Sequence, residues 1–284
     1  MKDGQLFNEY RMRDSINGQD AQTAAGLRNT WVLYEGVRAL TGIERIQSLA
    51  GNDVTATAMS AGLELTYDPL WKGSVRGEFR RDPQFDAMLS TVAYMRKLSR
   101  DWSFIGRNYL NRLESRVGSG NRLQDRVQLG LAYRDTDTNR WNWLGRYEYK
   151  VERDSTASAG TGLLDRRVHV ISNHADYHPS RPWTVSGRLA AKWVDEEIGG
   201  AAAKYDAYLG GGRVIFDVTE RWDVGLLASV LYSPQGSSKQ YAMGAEVGYL
   251  LMQNLWFSAG YNWTGFKDRD LSGADYTNRG VFIR

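Results

Sequence analysis

The chain has 284 residues, a formal net charge of +3, 42% hydrophobic residues and no cysteine. The missing thiols exclude a disulfide framework and a thiolate metal site. A mean hydropathy of −0.51, with no long apolar run, excludes a helical membrane span. Basic residues alternate with acidic ones instead of clustering, so no nucleic-acid partner is expected.

Taken in chain order, Met1-Lys2-Asp3-Gly4 leads straight into a strand-like segment without an export signal. That signal is expected to have been removed, or the segment to belong to a longer chain. A first tight turn falls near Glu35-Gly36. From there a turn followed by Trp recurs, at Asp68-Pro69-Leu70-Trp71, Ser99-Arg100-Asp101-Trp102 and Thr138-Asn139-Arg140-Trp141. It continues at Ser180-Arg181-Pro182-Trp183, Thr219-Glu220-Arg221-Trp222 and Gln253-Asn254-Leu255-Trp256. The turn residues are those that tight turns favour. Between them lie more polar connections centred on 15–20, 50–53, 82–85, 115–122, 154–164, 196–203, 233–239 and 267–275. Alternating short turns and longer loops divide the chain into about sixteen segments, with both termini on the short-turn side.

The segments alternate with period two. Val127, Leu129, Leu131 and Tyr133 oppose Arg126, Gln128 and Arg134; Trp143, Tyr147 and Tyr149 oppose Arg146, Glu148 and Lys150. Trp183, Val185, Leu189 and Trp193 oppose Arg188 and Lys192, and Tyr241, Met243, Val247 and Tyr249 oppose Gly244 and Glu246. Segments of this length cross a bilayer when tilted. The apolar faces end in aromatics, while the opposite faces carry charges at mid-strand. Both features assign the apolar face to lipid and the polar face to an aqueous lumen. The fold class expected is therefore all-β, a transmembrane antiparallel up-and-down β-barrel, as one domain over 1–284. A β-propeller is the nearest soluble rival, since Trp222-Asp223 matches its dipeptide, but the other repeats do not and each holds two long strands instead of four short ones.

Two residue sets follow. The expected lumen-lining charges are Arg76, Glu78, Arg80, Arg107, Arg126, Arg134, Arg146, Glu148, Lys150, Arg188, Lys192 and Glu246. They would tune ion selectivity or simply pair across strands. The expected periplasmic aromatic girdle is Trp71, Trp102, Trp141, Trp183, Trp222 and Trp256. In the tenth, twelfth and sixteenth segments both faces are mixed and parity is ambiguous.

Several stretches resemble a family of porin-like barrels that form the C-terminal domains of large surface or repeat proteins in Gram-negative bacteria. They are Leu129-Gly130-Leu131-Ala132-Tyr133-Arg134-Asp135-Thr136-Asp137, Arg146-Tyr147-Glu148-Tyr149-Lys150, Glu220-Arg221-Trp222-Asp223-Val224-Gly225-Leu226 and Gly244-Ala245-Glu246-Val247-Gly248-Tyr249-Leu250. Ala259-Gly260-Tyr261-Asn262 and Phe266-Lys267-Asp268 add to them. The resemblance implies an outer-membrane anchor or pore and carries no catalytic signature. Such barrels usually close on a terminal aromatic, whereas this chain stops at Gly280-Val281-Phe282-Ile283-Arg284, so the last strand is expected to be cut short.

No enzyme signature, metal site or cofactor is expected. His174 and His178 are spaced for a helical metal pair, but on a strand they lie more than about 12 Å apart. No Ser is evidently placed beside a His in an adjacent strand. Gly210-Gly211-Gly212 lacks the lysine and helix of a phosphate loop; it reads as a bulge or a place where a large neighbour such as Tyr205 or Tyr208 folds over the wall. Two functions remain open: an outer-membrane anchor for a larger surface or periplasmic protein, or a passive channel for small polar solutes. The expected partners are outer-membrane lipid, the barrel assembly machinery, and further domains of the same polypeptide or a plugging partner. The longest loops are modest, so an open lumen is expected.

Overall fold

The computed structural model describes residues 4–15, 18–50, 55–155, 163–253, 255–268, 270–271 and 278–283. Of the connections expected from sequence, 51–53, most of 154–164 and much of 267–275 fall outside these residues, as do 1–3, Asn254 and Arg284.

Sixteen strands form. They are β1 (Gly4–Ser15), β2 (Gly18–Tyr34), β3 (Val37–Ala50), β4 (Thr55–Leu65), β5 (Trp71–Arg81), β6 (Phe85–Lys97), β7 (Trp102–Ser115) and β8 (Asn121–Arg134). They continue as β9 (Trp141–Asp154), β10 (Leu164–Tyr177), β11 (Trp183–Ile198), β12 (Ala201–Asp217), β13 (Trp222–Ser233), β14 (Ser238–Met252), β15 (Leu255–Thr264) and β16 (Gly280–Ile283). All belong to one sheet in chain order, each antiparallel to the next. β1 and the short β16 stand at the two ends of that order, and no ladder between them occurs among the described residues.

The turn-plus-Trp repeat has a local cause. In two repeats the turn hydroxyl accepts the Trp backbone N–H: Trp102 donates to Ser99 Oγ (3.1 Å) and Trp222 to Thr219 Oγ1 (3.1 Å). Asp68 Oδ1 accepts Leu70 N–H at 2.7 Å in the same way. Such side-chain acceptors offer the backbone an alternative to the ladder and so end the strand. At the other end some ladders run further than the sequence suggests. The segments read as loops at 15–20 and 196–203 are largely strand. There β11 turns into β12 over Gly199 and Gly200 alone, both at positive φ (59° and 85°), the conformation glycine adopts without steric cost.

Cross-strand register separates two faces. One carries the exposed large apolar side chains, among them Leu189 (67%), Leu226 (66%) and Met243 (53%). The other holds the buried residues, and these include charged ones such as Glu148, Lys192 and Glu246. A soluble sandwich would bury the first face and wet the second; this sheet does the reverse. Moving a large aliphatic side chain out of water yields roughly 1.5–3 kcal/mol, so a continuous apolar outer face requires an apolar surrounding. In lipid, sheets are stable only when their strand edges find partners.

Along the short-turn end, aromatics pair across neighbouring strands on the outer face. Trp71 approaches Tyr94 (6.2 Å between centroids), Trp102 approaches Tyr133 (5.0 Å) and Trp143 (5.9 Å), and Trp141 stacks on Tyr177 (4.2 Å). Trp183 meets Phe216 (4.7 Å) and Trp222 meets Tyr249 (4.6 Å). Five of the six Trp expected in the girdle thus lie in one outward belt. Trp256 does not. Trp256 continues the regular ladder, pairs with Leu250 and shares the inner face of Ser258 and Asn262. Its indole Nε1 and the Asp223 carboxylate converge over Gly248, where a side chain would collide with both. Trp256 is therefore an inner-wall donor and not a girdle residue.

Candidate functional site

All twelve charged residues expected in the lumen fall on the inner face. The register aligns Arg76, Glu78 and Arg80 on β5 with Gly62, Ser60 and Ala58 on β4. Arg107 on β7 lies opposite Gln128 on β8, which lies opposite Glu148 on β9. Arg126 faces Lys150, Gly130 faces Arg146, and Arg134 lies two residues beyond Ala132 on the same face. Arg188 and Lys192 on β11 face His174 and Val170 on β10, and Glu246 on β14 faces Gly225 on β13.

Most of these charges are organised around buried carboxylates. Glu148, 2% exposed, accepts Arg126 Nε (2.8 Å) and Gln128 Nε2 (2.8 Å), with Lys150 Nζ at 3.0 Å and Arg146 Nε at 3.9 Å. Glu246 bonds Arg213 and lies over Gly225, which has no side chain to obstruct it. On β2–β5, Glu44 and Glu78 bridge Arg28, Arg76 and Arg80 at 3.1–3.7 Å. A buried carboxylate is tolerated only when its charge is met by hydrogen-bonded cations, as at Glu148 and Glu246; Glu44 and Glu78 are half-buried.

The feature that sequence reading missed is the connection from β15 to β16. Its described residues Phe266, Asp268, Asp270 and Leu271 lie against the inner wall. Phe266 (4% exposed) and Leu271 (1%) pack into an apolar cluster with Val168, Val170, Ala190, Val194, Ala207, Leu209, Leu231 and Ala242, all on the inner face of β10–β14. Asp268 folds the loop onto itself by accepting Asp270 N–H and Leu271 N–H, both at 2.9 Å. The two carboxylates then seat on the wall. Asp270 accepts Lys150 Nζ (3.0 Å) and Arg166 Nη2 (2.7 Å), and Asp268 accepts Lys192 Nζ (2.6 Å). Arg188 Nη2 donates to the Leu271 carbonyl at 2.5 Å. Burial pushes the Asp270 carboxyl up, but hydrogen bonds from Lys150 and Arg166 outweigh it and hold the group down at about 2. The open lumen expected from loop length is thus corrected in part: Phe266, Asp268, Asp270 and Leu271 cover the inner face of β9–β14. Between the loop and the wall lies a cavity of about 260 Å³ lined by Tyr109, Gln124, Asp125, Arg126, Lys150, Val151, Glu152 and Asp270.

The histidines are dispersed. His169 faces outward against Tyr149 (4.7 Å) and is bonded to the Tyr147 hydroxyl (2.8 Å). His174 faces inward and contacts Asp176 (3.2 Å), which also accepts Ser186 Oγ (2.6 Å). The adjacent strands thus bring a Ser, an Asp and a His together, which sequence reading did not foresee. The carboxylate, however, stands between the other two; a hydrolytic triad needs the imidazole there to take the hydroxyl proton. The glycines at 210–212 are also reassigned. Leu189 and Val230 pack over Gly210, and Ser229 over Gly211, in place of Tyr205 and Tyr208.

A sixteen-stranded up-and-down antiparallel sheet with an apolar outer face, an aromatic belt and a charged interior defines the class: an outer-membrane β-barrel fold. No protein-family model matches the chain, and no curated protein is similar to it in sequence. Among solved structures it is similar to the alcaligin outer membrane receptor FauA from Bordetella pertussis, with a TM-score of 0.65 at 10% identity over 99% of this chain and 56% of that one. It is also similar to the ferric citrate transporter FecA in its unliganded form, with a TM-score of 0.58 at 10% identity over 99% and 54%. The chain spans about half the length of these two proteins.

Proposed function

We propose that the chain is an integral protein of the bacterial outer membrane, a single barrel domain over 1–284 that passes small polar solutes through a lumen narrowed by the β15–β16 loop. Outer-membrane lipid and the barrel assembly machinery are its partners in this reading. The observation that carries it is the loop itself. A barrel serving only as an anchor has no use for a loop that spends two carboxylates and two apolar side chains on its own inner wall. An inward loop that sets the bore is what a selective diffusion pathway requires. The second reading, an anchor for further domains or a plugging partner, draws support from the sequence resemblance to C-terminal barrel domains.

Planar-bilayer conductance separates the two. The purified chain is expected to give steady conductance steps, and Asp268→Asn/Asp270→Asn is expected to enlarge them by freeing the loop. Silence in both proteins supports the anchor.

A further inference from the structure

The charges on the inner wall of β7–β9 are unbalanced. Arg107, Arg126, Arg134, Arg146 and Lys150 share this strip; Glu148 meets Arg126, Arg146 and Lys150, Asp270 also meets Lys150, and Glu152 on the same face of β9 pairs with Arg166. Glu148 engages Arg126 and Arg146 through their Nε atoms. The Nη ends of both make no side-chain hydrogen bond among the described residues. Arg107 and Arg134 are exposed to the lumen and have no side-chain ion pair or hydrogen bond among the described residues. Glu148 and Asp270 thus hold Arg126, Arg146 and Lys150 in place, while Arg107 and Arg134 remain available. Glycine at 130, between Ile105 and Arg146 in register, adds no side chain to the lumen at the strip's centre.

We infer that this strip of Arg107, Arg126, Arg134 and Arg146 binds oxyanionic solutes, those bearing carboxylate or phosphate groups, on their way through the lumen; this rests on the channel reading above and names its solute class. Guanidinium groups present planar donor forks that match such groups, and a fixed row of them is worth more than the same charges on mobile lysines. The molecule supplies its own example of the chemistry. At the upper end of the strip, the Asp270 carboxylate sits on Lys150 and Arg166 beside the cavity that Arg126 lines. A solute anion reaching that cavity meets Arg126 and Lys150, competes with Asp270 for Lys150, and also has Asp125 and Glu152 in the cavity's lining.

The test is ³¹P NMR of inorganic phosphate titrated with the detergent-folded barrel at fixed ionic strength. The wild type is expected to broaden the phosphate line, and Arg107→Gln/Arg146→Gln to abolish the broadening. Arg107→Lys/Arg146→Lys, which keeps the charge but not the forks, is expected to retain only part of it. Heat-modifiable gel migration verifies that each variant is folded. Absence of broadening by the wild type, or equal broadening by the folded glutamine variant, overturns the inference. Binding is read without conductance, so a barrel that binds phosphate but does not conduct keeps the anion strip and loses the channel reading. A barrel that conducts without binding phosphate does the opposite.

Discussion

Leu226 and Leu227 are neighbours in sequence on β13 and face opposite sides of the wall, Leu226 outward at 66% exposure and Leu227 inward beside Arg213. Leu226 lies four residues beyond the belt residue Trp222. At about 3.4 Å per residue and a tilt of about 40°, that places it roughly 10 Å above the belt, near the middle of an apolar band about 25 Å tall. An arginine at that depth costs about 2–4 kcal/mol. On the inner face it meets water, so Leu227→Arg is expected to cost less than about 1 kcal/mol. Both variants would be refolded into phosphatidylcholine vesicles and unfolded with guanidinium, following Trp emission. The expected outcome is a stability loss for Leu226→Arg larger by at least about 1 kcal/mol, some fivefold in the folding constant. Equal losses, or a larger one for Leu227→Arg, would refute the assignment of faces on which everything above depends.

Other consequences are open to measurement. Trp102→Ala removes contacts with both Tyr133 and Trp143, each worth about 0.5–1.5 kcal/mol, and vesicle refolding should show a loss of about 1–3 kcal/mol. A side chain at Gly260 would fall 2.6 Å from the Ala245 carbonyl oxygen and closer still to the Phe282 ring. Gly260→Ala should therefore disturb the β14–β15 and β15–β16 ladders, seen as faster amide exchange at Tyr261 and Val281 than at β5. Asp270→Asn removes the negative charge that meets Lys150 and the buried Arg166, and loop docking should weaken by about 3–5 kcal/mol, seen as faster proteolysis within 265–279 with the barrel intact. The Asp270 pKa is lowered by folding, so its contribution is full above the ordinary carboxylate range near 4 and disappears as pH falls through about 2. Loop seating should be constant from pH 8 to 5 and fail only below about pH 3; a transition near pH 6 in bilayer conductance would contradict this.

The wall was legible in the sequence and the loop was not. Period two, the recurrent Trp and the turn residues are local signals, and each strand repeats them. Parity became ambiguous in the tenth and twelfth segments for a reason the structure supplies. Val168, Val170, Ala207 and Leu209 face inward, where charge was expected, because Phe266 and Leu271 cover them. A strand apolar on both faces has no period-two signal. Trp256 was misplaced because its turn resembles the others while its parity does not: it alternates with Leu255 and Phe257 and shares the face of Ser258, Gly260 and Asn262. Asp268 and Asp270 read locally as ordinary polar loop residues. Their meaning lies in Lys150, Arg166 and Lys192, which the sequence keeps far away, and Arg166 itself fell in a segment of uncertain parity.

That distance has a consequence for assembly. The Lys150–Asp270 bond joins residues 120 apart and Arg166–Asp270 joins residues 104 apart, whereas each strand pairs with its immediate successor. Hairpins form from local contacts, and closures over long stretches of chain come late. The loop has no seat until β9–β14 stand side by side, because its apolar cluster draws on five of those strands. Its docking therefore works as a completion signal: protection of 265–271 from protease marks barrels whose second half is fully built, and separates them from those that have merely collapsed.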